Sequence, residues 1–189
     1  PEIDALPEWK KIVQTPGLIL MLQEFNASYR QIFTDGRALP VDPNPSWNGY
    51  STGHWEGDTL VVDTMGIKPV RYSMIDQYGT PFSDALHLVE RIRLVDSETA
   101  KQTMDRVEKT YGRIGPGGGG ARYAANSTEK GLQIHITVED PNTFTAPWTA
   151  TVTYRRNQEP WTERVCAENI RDFTTGEDTD VPRDDTPDF

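Results

Sequence analysis

The chain has 189 residues, a formal net charge of −10 at pH 7, and 14 prolines with 15 glycines. The length suits one domain with a real core, and the proline and glycine content points to many turns and few long helices. The acidic balance argues against a nucleic-acid partner, and no basic segment or bilayer-length apolar run of roughly 20 residues speaks for a membrane.

Residues 8–15 predict a first strand, closed by the turn dipeptide Pro16-Gly17. Leu18 to Phe25 and Tyr29 to Thr34 predict the next two, with Asp35-Gly36 turning the chain. Residues 38–50 carry three prolines and read as an extended loop. The clearest local signal is Gly53-His54-Trp55-Glu56-Gly57-Asp58-Thr59-Leu60-Val61-Val62-Asp63-Thr64. An aromatic strand end, a Glu-Gly-Asp corner and a β-branched run predict a hairpin over 53–65. Residues 66–84 read as an irregular connection with room for one helical turn, and Ala85 to Asp96 as a long strand. Thr103 to Tyr111 fits a strand or a short helix, and its neighbours favour a strand. Gly115-Pro116-Gly117-Gly118-Gly119-Gly120 matches G-x-G-x-x-G in letters, but it lacks the strand and helix of a dinucleotide site and reads as a hairpin tip. Leu132 to Asp140, Trp148 to Arg156 and Thr162 to Asn169 predict further strands, and residues 176–189 an acidic, solvated tail.

Strands at this spacing, with no helix to cover a wide sheet, predict an all-β fold. The expected form is an antiparallel, lipocalin-like (calycin-like) barrel of about 8–10 strands with long irregular loops. It occupies residues 1–175, with 176–189 as the tail.

Strand alternation sorts candidate chemistry onto faces. In Ala85 to Asp96, Leu86, Leu88, Glu90, Ile92 and Leu94 share one face. A carboxylate among apolar neighbours is costly to bury, so Glu90 is either a general acid or base or the partner of an Arg such as Arg30. Glu24 ends a face shared with Leu18, Leu20 and Leu22, and Asp63 has apolar company in its strand. A closed barrel would give Glu24, Asp63 and Glu90 one lumen in which to converge. His54, His87 and His135 lack zinc-site spacing, so no metal is expected. His135 shares a polar face with Gln133, Thr137 and Glu139, which is a solvent face unless it lines the lumen. Trp9, Trp47, Trp55, Trp148 and Trp161 sit at strand ends or in loops, where large rings rim pockets. Trp55 and Trp148 flank β-branched runs and are the first choices. No G-x-S-x-G element and no cofactor motif is present. The one cysteine, Cys166, is either a small buried thiol or half of a disulfide whose partner lies upstream of a trimmed amino end.

Several stretches together resemble a large family of secreted proteins from acidobacteria and related environmental bacteria. They are Lys11-Ile12-Val13-Gln14-Thr15-Pro16-Gly17, Gln23-Glu24-Phe25 with Tyr29-Arg30, Thr34-Asp35-Gly36-Arg37, the 53–64 hairpin, Glu90-Arg91, Glu139-Asp140-Pro141 with Pro147-Trp148, and Cys166-Ala167-Glu168-Asn169. The resemblance covers about residues 11–172 and is interrupted by an insertion around 97–128. It implies a precursor with a secretion signal and a further cysteine-bearing region, and hence a periplasmic or extracellular protein. The leading expectation is binding of a small, partly apolar or aromatic molecule, with Trp55, Trp148, Arg30, Glu24 and His135 at the site and no cofactor. The alternatives are a lyase, isomerase or hydrolase using Glu90 and Asp63, and a structural or assembly subunit that forms homo-oligomers.

Overall fold

The first corner shows how local chemistry sets the architecture. Pro16 restricts its own φ, and Gly17 takes a φ of 77°, the left-handed value that a type II turn needs at its third residue. The corner joins strand β1 (Lys10–Thr15) to β2 (Leu18–Gln23), paired antiparallel from Thr15↔Leu18 to Lys10↔Gln23. The computed structural model describes residues 10–23, 28–71, 73–76, 79–111 and 128–155. In these, β3 (Tyr29–Phe33), β4 (Tyr50–Glu56), β5 (Thr59–Met65), β6 (His87–Val95), helix α1 (Ser97–Tyr111), β7 (Gly131–Glu139) and β8 (Trp148–Arg155) follow. The expectations for Glu24, Trp9, Trp161, Cys166, Gly115–Gly120, Thr162–Asn169 and the acidic tail lie outside the described residues.

The chain is mostly β, as its strand pattern predicts. The eight strands of the described residues form one sheet in chain order, curled into a half-barrel with β1 and β8 at the ends of that order. An entirely antiparallel barrel was expected, and the pairing differs at one seam. Strands β3 and β4 run parallel, joined only through Ile32↔Ser51 and Phe33↔Thr52. The physical reason is the proline-bearing loop before β4. It returns the chain to the end where β3 began, so β4 sets off in the same direction.

A second correction concerns residues 103–111, which continue a helix rather than form a strand. The signals lie upstream. Asp96 caps the helix, accepting the Thr99 N–H and the Thr99 hydroxyl, each at 2.8 Å. Glu98 in the first turn and Lys109 in the last suit the helix dipole, and no Gly or Pro interrupts Ser97–Tyr111.

Rows of inward side chains build the core. Leu60, Ile92 and Ile134 lie abreast on β5, β6 and β7, as do Thr64, Leu88 and Val138. With Ile19, Met21, Ile32 and Val62, the first row forms one buried cluster. The second row contributes Leu88 and Val138 to another, with Ile67, Ile75 and Leu86. On β2 it is Ile19, Met21 and Gln23 that are buried, rather than the face carrying Leu18, Leu20 and Leu22. The parallel alternatives are both apolar there, so composition alone did not choose between them.

Asp140 pins the β7–β8 turn to the segment entering β6. Its carboxylate accepts the Ser83 N–H (2.6 Å) and hydroxyl (2.7 Å), the Asn142 N–H (3.1 Å) and the Thr143 hydroxyl (3.0 Å). Burial alone would raise the Asp140 carboxyl. The bonds from Ser83, Thr143 and Asn142 outweigh it and hold the group below the usual carboxylate range. Among the described residues no helix is long and apolar enough to cross a membrane.

Candidate functional site

The short β3–β4 seam leaves a gap that the loop before β4 only partly fills. Asn48 donates from its side-chain amide to the Tyr29 carbonyl at 2.8 Å, which ties this loop to the start of β3. Ser46 bridges to the strand end at Ile67, its N–H bonding the Gly66 carbonyl at 3.0 Å. Gly49 allows the close approach. Its φ is 64°, and a Cβ there would lie 2.6 Å from the Met65 carbonyl oxygen.

Between these segments lies a groove of about 710 Å³. Its walls carry the rings of Tyr29, Phe33, Trp47, Tyr50 and Phe82, with the amides of Gln23, Gln31 and Asn48 among them. Trp47 is 66% exposed and Tyr29 57%, so these rings stand open to solvent. The Lys68 ammonium lies 5.4 Å from the centroid of the Trp47 ring, within cation–π range.

Ser51 also lines the groove, although it is only 1% exposed. Behind it is the buried ion pair. Arg30 donates from Nε to the Ser51 hydroxyl at 3.1 Å, from Nη2 to the Thr64 hydroxyl at 2.7 Å, and from Nη1 to Glu90 Oε1 at 2.8 Å. Nη2 also meets Glu90 Oε2, so the carboxylate is gripped by both nitrogens. The Ser51 and Thr64 hydroxyls are 2.9 Å apart. Both accept from Arg30, and only one proton fits between them. The other hydroxyl proton therefore points elsewhere.

The structure brings Glu90 and Arg30 together, the pairing that strand parity allowed. It does not bring Asp63 to them. Val62 lies opposite Glu90 in the register, so Asp63 projects from the other face. There it is 42% exposed and 2.5 Å from His87 Nε2, with Glu139 Oε2 3.5 Å from His87 Nδ1. His135 is on that face as well, 3.1 Å from the Thr151 hydroxyl. Glu56 bonds Arg91 at 2.6 Å and His54 at 3.3 Å there, and these partners, Arg91 foremost, lower its carboxyl. Among the described residues no group of three or more His, Cys, Asp or Glu is arranged to hold a metal ion.

Neither Trp55 nor Trp148 lines the groove. Trp55 stands 49% exposed next to the β4–β5 corner. Trp148 packs on the second apolar cluster, edge-on to Phe144 with centroids 5.7 Å apart. Of the five tryptophans that the sequence offers as pocket rims, Trp47 lines the groove, although Trp55 and Trp148 were the first choices. Other groove residues were passed over. Ser51 and Gln31 carried no signal, because their importance lies in what another strand places beside them. Compared with protein-family models, curated proteins and solved structures, the chain matches none.

Proposed function

We propose that this chain is an exported, lipocalin-like binding protein that takes a small, partly apolar molecule in the groove at the β3–β4 seam. The groove itself carries the reading. Its volume of about 710 Å³ lies in the range typical of small-ligand sites, and it combines aromatic walls with a few amide and hydroxyl groups. Export is supported by the sequence resemblance. The acid/base alternative has less support. Both Glu90 oxygens engage Arg30, Glu90 is outside the groove lining, and Asp63 occupies the opposite face.

Titration with 1-anilinonaphthalene-8-sulfonate, followed by dye and tryptophan fluorescence, tests the site. Saturable binding is expected, weakened about tenfold by Trp47→Ala and left unchanged by Trp55→Ala. Absence of saturable binding would end the binding reading. Loss confined to Trp55→Ala or Trp148→Ala would move the site away from the seam.

A further inference from the structure

Building on this reading of the groove, we infer that its ligand is a neutral saccharide, with a pyranose ring stacked on an exposed ring of the groove, Trp47 foremost. The first argument is charge. The chain has 29 acidic residues, yet none of the described residues lining the groove is a carboxylate. Lys68 is the one Lys or Arg among them, and its ammonium already faces the Trp47 ring. Apart from Lys68, the polar side chains among the described lining residues that can meet a ligand are uncharged: the amides of Gln23, Gln31 and Asn48, the tyrosine hydroxyls and the serine hydroxyls. An amide or hydroxyl both donates and accepts, which matches the dual character of each sugar hydroxyl.

The second argument is the exposure of the rings. A fatty acyl chain or a sterol gains most from an enclosed apolar cavity, because its binding depends on removing apolar area from water. Here Trp47, Tyr29 and Tyr50 are 66%, 57% and 37% exposed along an open groove. Such amphipathic surfaces suit a ligand with an apolar C–H face and a polar edge, which is the chemistry of a pyranose. A nucleoside offers a flat face too, but its phosphorylated forms meet an acidic protein with one Lys or Arg among the described residues of the groove.

The third argument is the floor. Arg30 donates to both Ser51 and Thr64, which leaves one hydroxyl proton of that pair without a place between them. Ser51 is the member that lines the groove. Ser51 thus brings to the groove a hydroxyl whose oxygen is held by the buried Arg30 guanidinium, a fixed polar point for a sugar hydroxyl.

Calorimetric titration of the full chain with cellohexaose, xylohexaose, mannohexaose and N-acetylchitohexaose tests this, with hexagalacturonate as the charged comparison and the naphthalene dye in parallel. At least one neutral oligomer should bind. Trp47→Ala should remove that binding, and Gln31→Ala should weaken it about tenfold while leaving dye binding intact. Gln31 is exposed on β3, so its truncation spares the fold. If the dye binds in a Trp47-dependent way but no neutral oligomer does, or if hexagalacturonate binds tighter, the saccharide assignment is overturned and the groove stands. If neither dye nor oligomer binds, the groove itself is not a ligand site.

Discussion

Glu90 is fully buried, and its cation comes from a strand 60 residues away in sequence. Desolvating two charges offsets most of their attraction, so the intact pair contributes little net stability. Breaking it is another matter. Glu90→Gln leaves the Arg30 guanidinium buried without its counter-charge and should cost about 3–5 kcal/mol in urea unfolding. Replacing both partners, Arg30→Met with Glu90→Leu, should cost less than either single change. A Glu90→Gln loss below about 1 kcal/mol would mean that water reaches the pair. Asp140 supplies a pH-dependent contribution of defined sign. Its folded value lies below the usual 3.8, so its stabilisation is present in full above that value and is lost as pH falls through the lower folded one. Asp140→Asn should therefore be less stable than the native chain at pH 7, with the gap closing in acid. A gap independent of pH would show that the charge contributes nothing.

At the scale of elements, α1 and β7 meet where one residue has no side chain. A Cβ on Gly131 would lie 2.7 Å from the Ala100 Cβ and 3.2 Å from the Tyr154 carbonyl oxygen. Ala100 is 1% exposed, so it has no free direction to yield in. Gly131→Ala should lift α1 from the sheet and cost about 1–3 kcal/mol. Hydrogen exchange should quicken across Ser97–Tyr111 while β5 and β6 keep their protection. Unchanged helix protection would show that this contact does not hold α1. The same helix explains why a strand was expected at Thr103–Tyr111. The residues there are ambiguous, whereas the Asp96 cap and the first turn decide the conformation from seven residues earlier.

For the whole molecule, a half-barrel has edges where a closed barrel has none. Strands β5, β6 and β7 are paired on both sides, β6 and β7 contribute to both apolar clusters and β5 to the first, whereas among the described residues β1 pairs only with β2 and β8 only with β7. Amide exchange should thus be slowest in Thr59–Met65 and His87–Val95 and faster along the outer side of β1 and β8. Equal protection in β1 and β6 would show that a further segment or a second copy covers that edge.

What the sequence determined by itself is whatever depends on neighbours within a few residues. The Pro16-Gly17 and Glu56-Gly57-Asp58 corners are readable from backbone preference. So is the inward face of β6 from Leu88 through Glu90 to Ile92, because alternation is a local property of an extended chain. Whether Glu90 serves as an acid or base or as the partner of an Arg stayed open, and the alternation fails at Leu94, which is 59% exposed while Val95 is buried. Tertiary structure decided the rest. The parallel seam between β3 and β4, the placement of Trp47 rather than Trp55 at the groove, and the separation of Asp63 from Glu90 follow from how distant strands align. Loop-closure geometry and the packing of one strand on another set that alignment, and neither is written in any short stretch of residues.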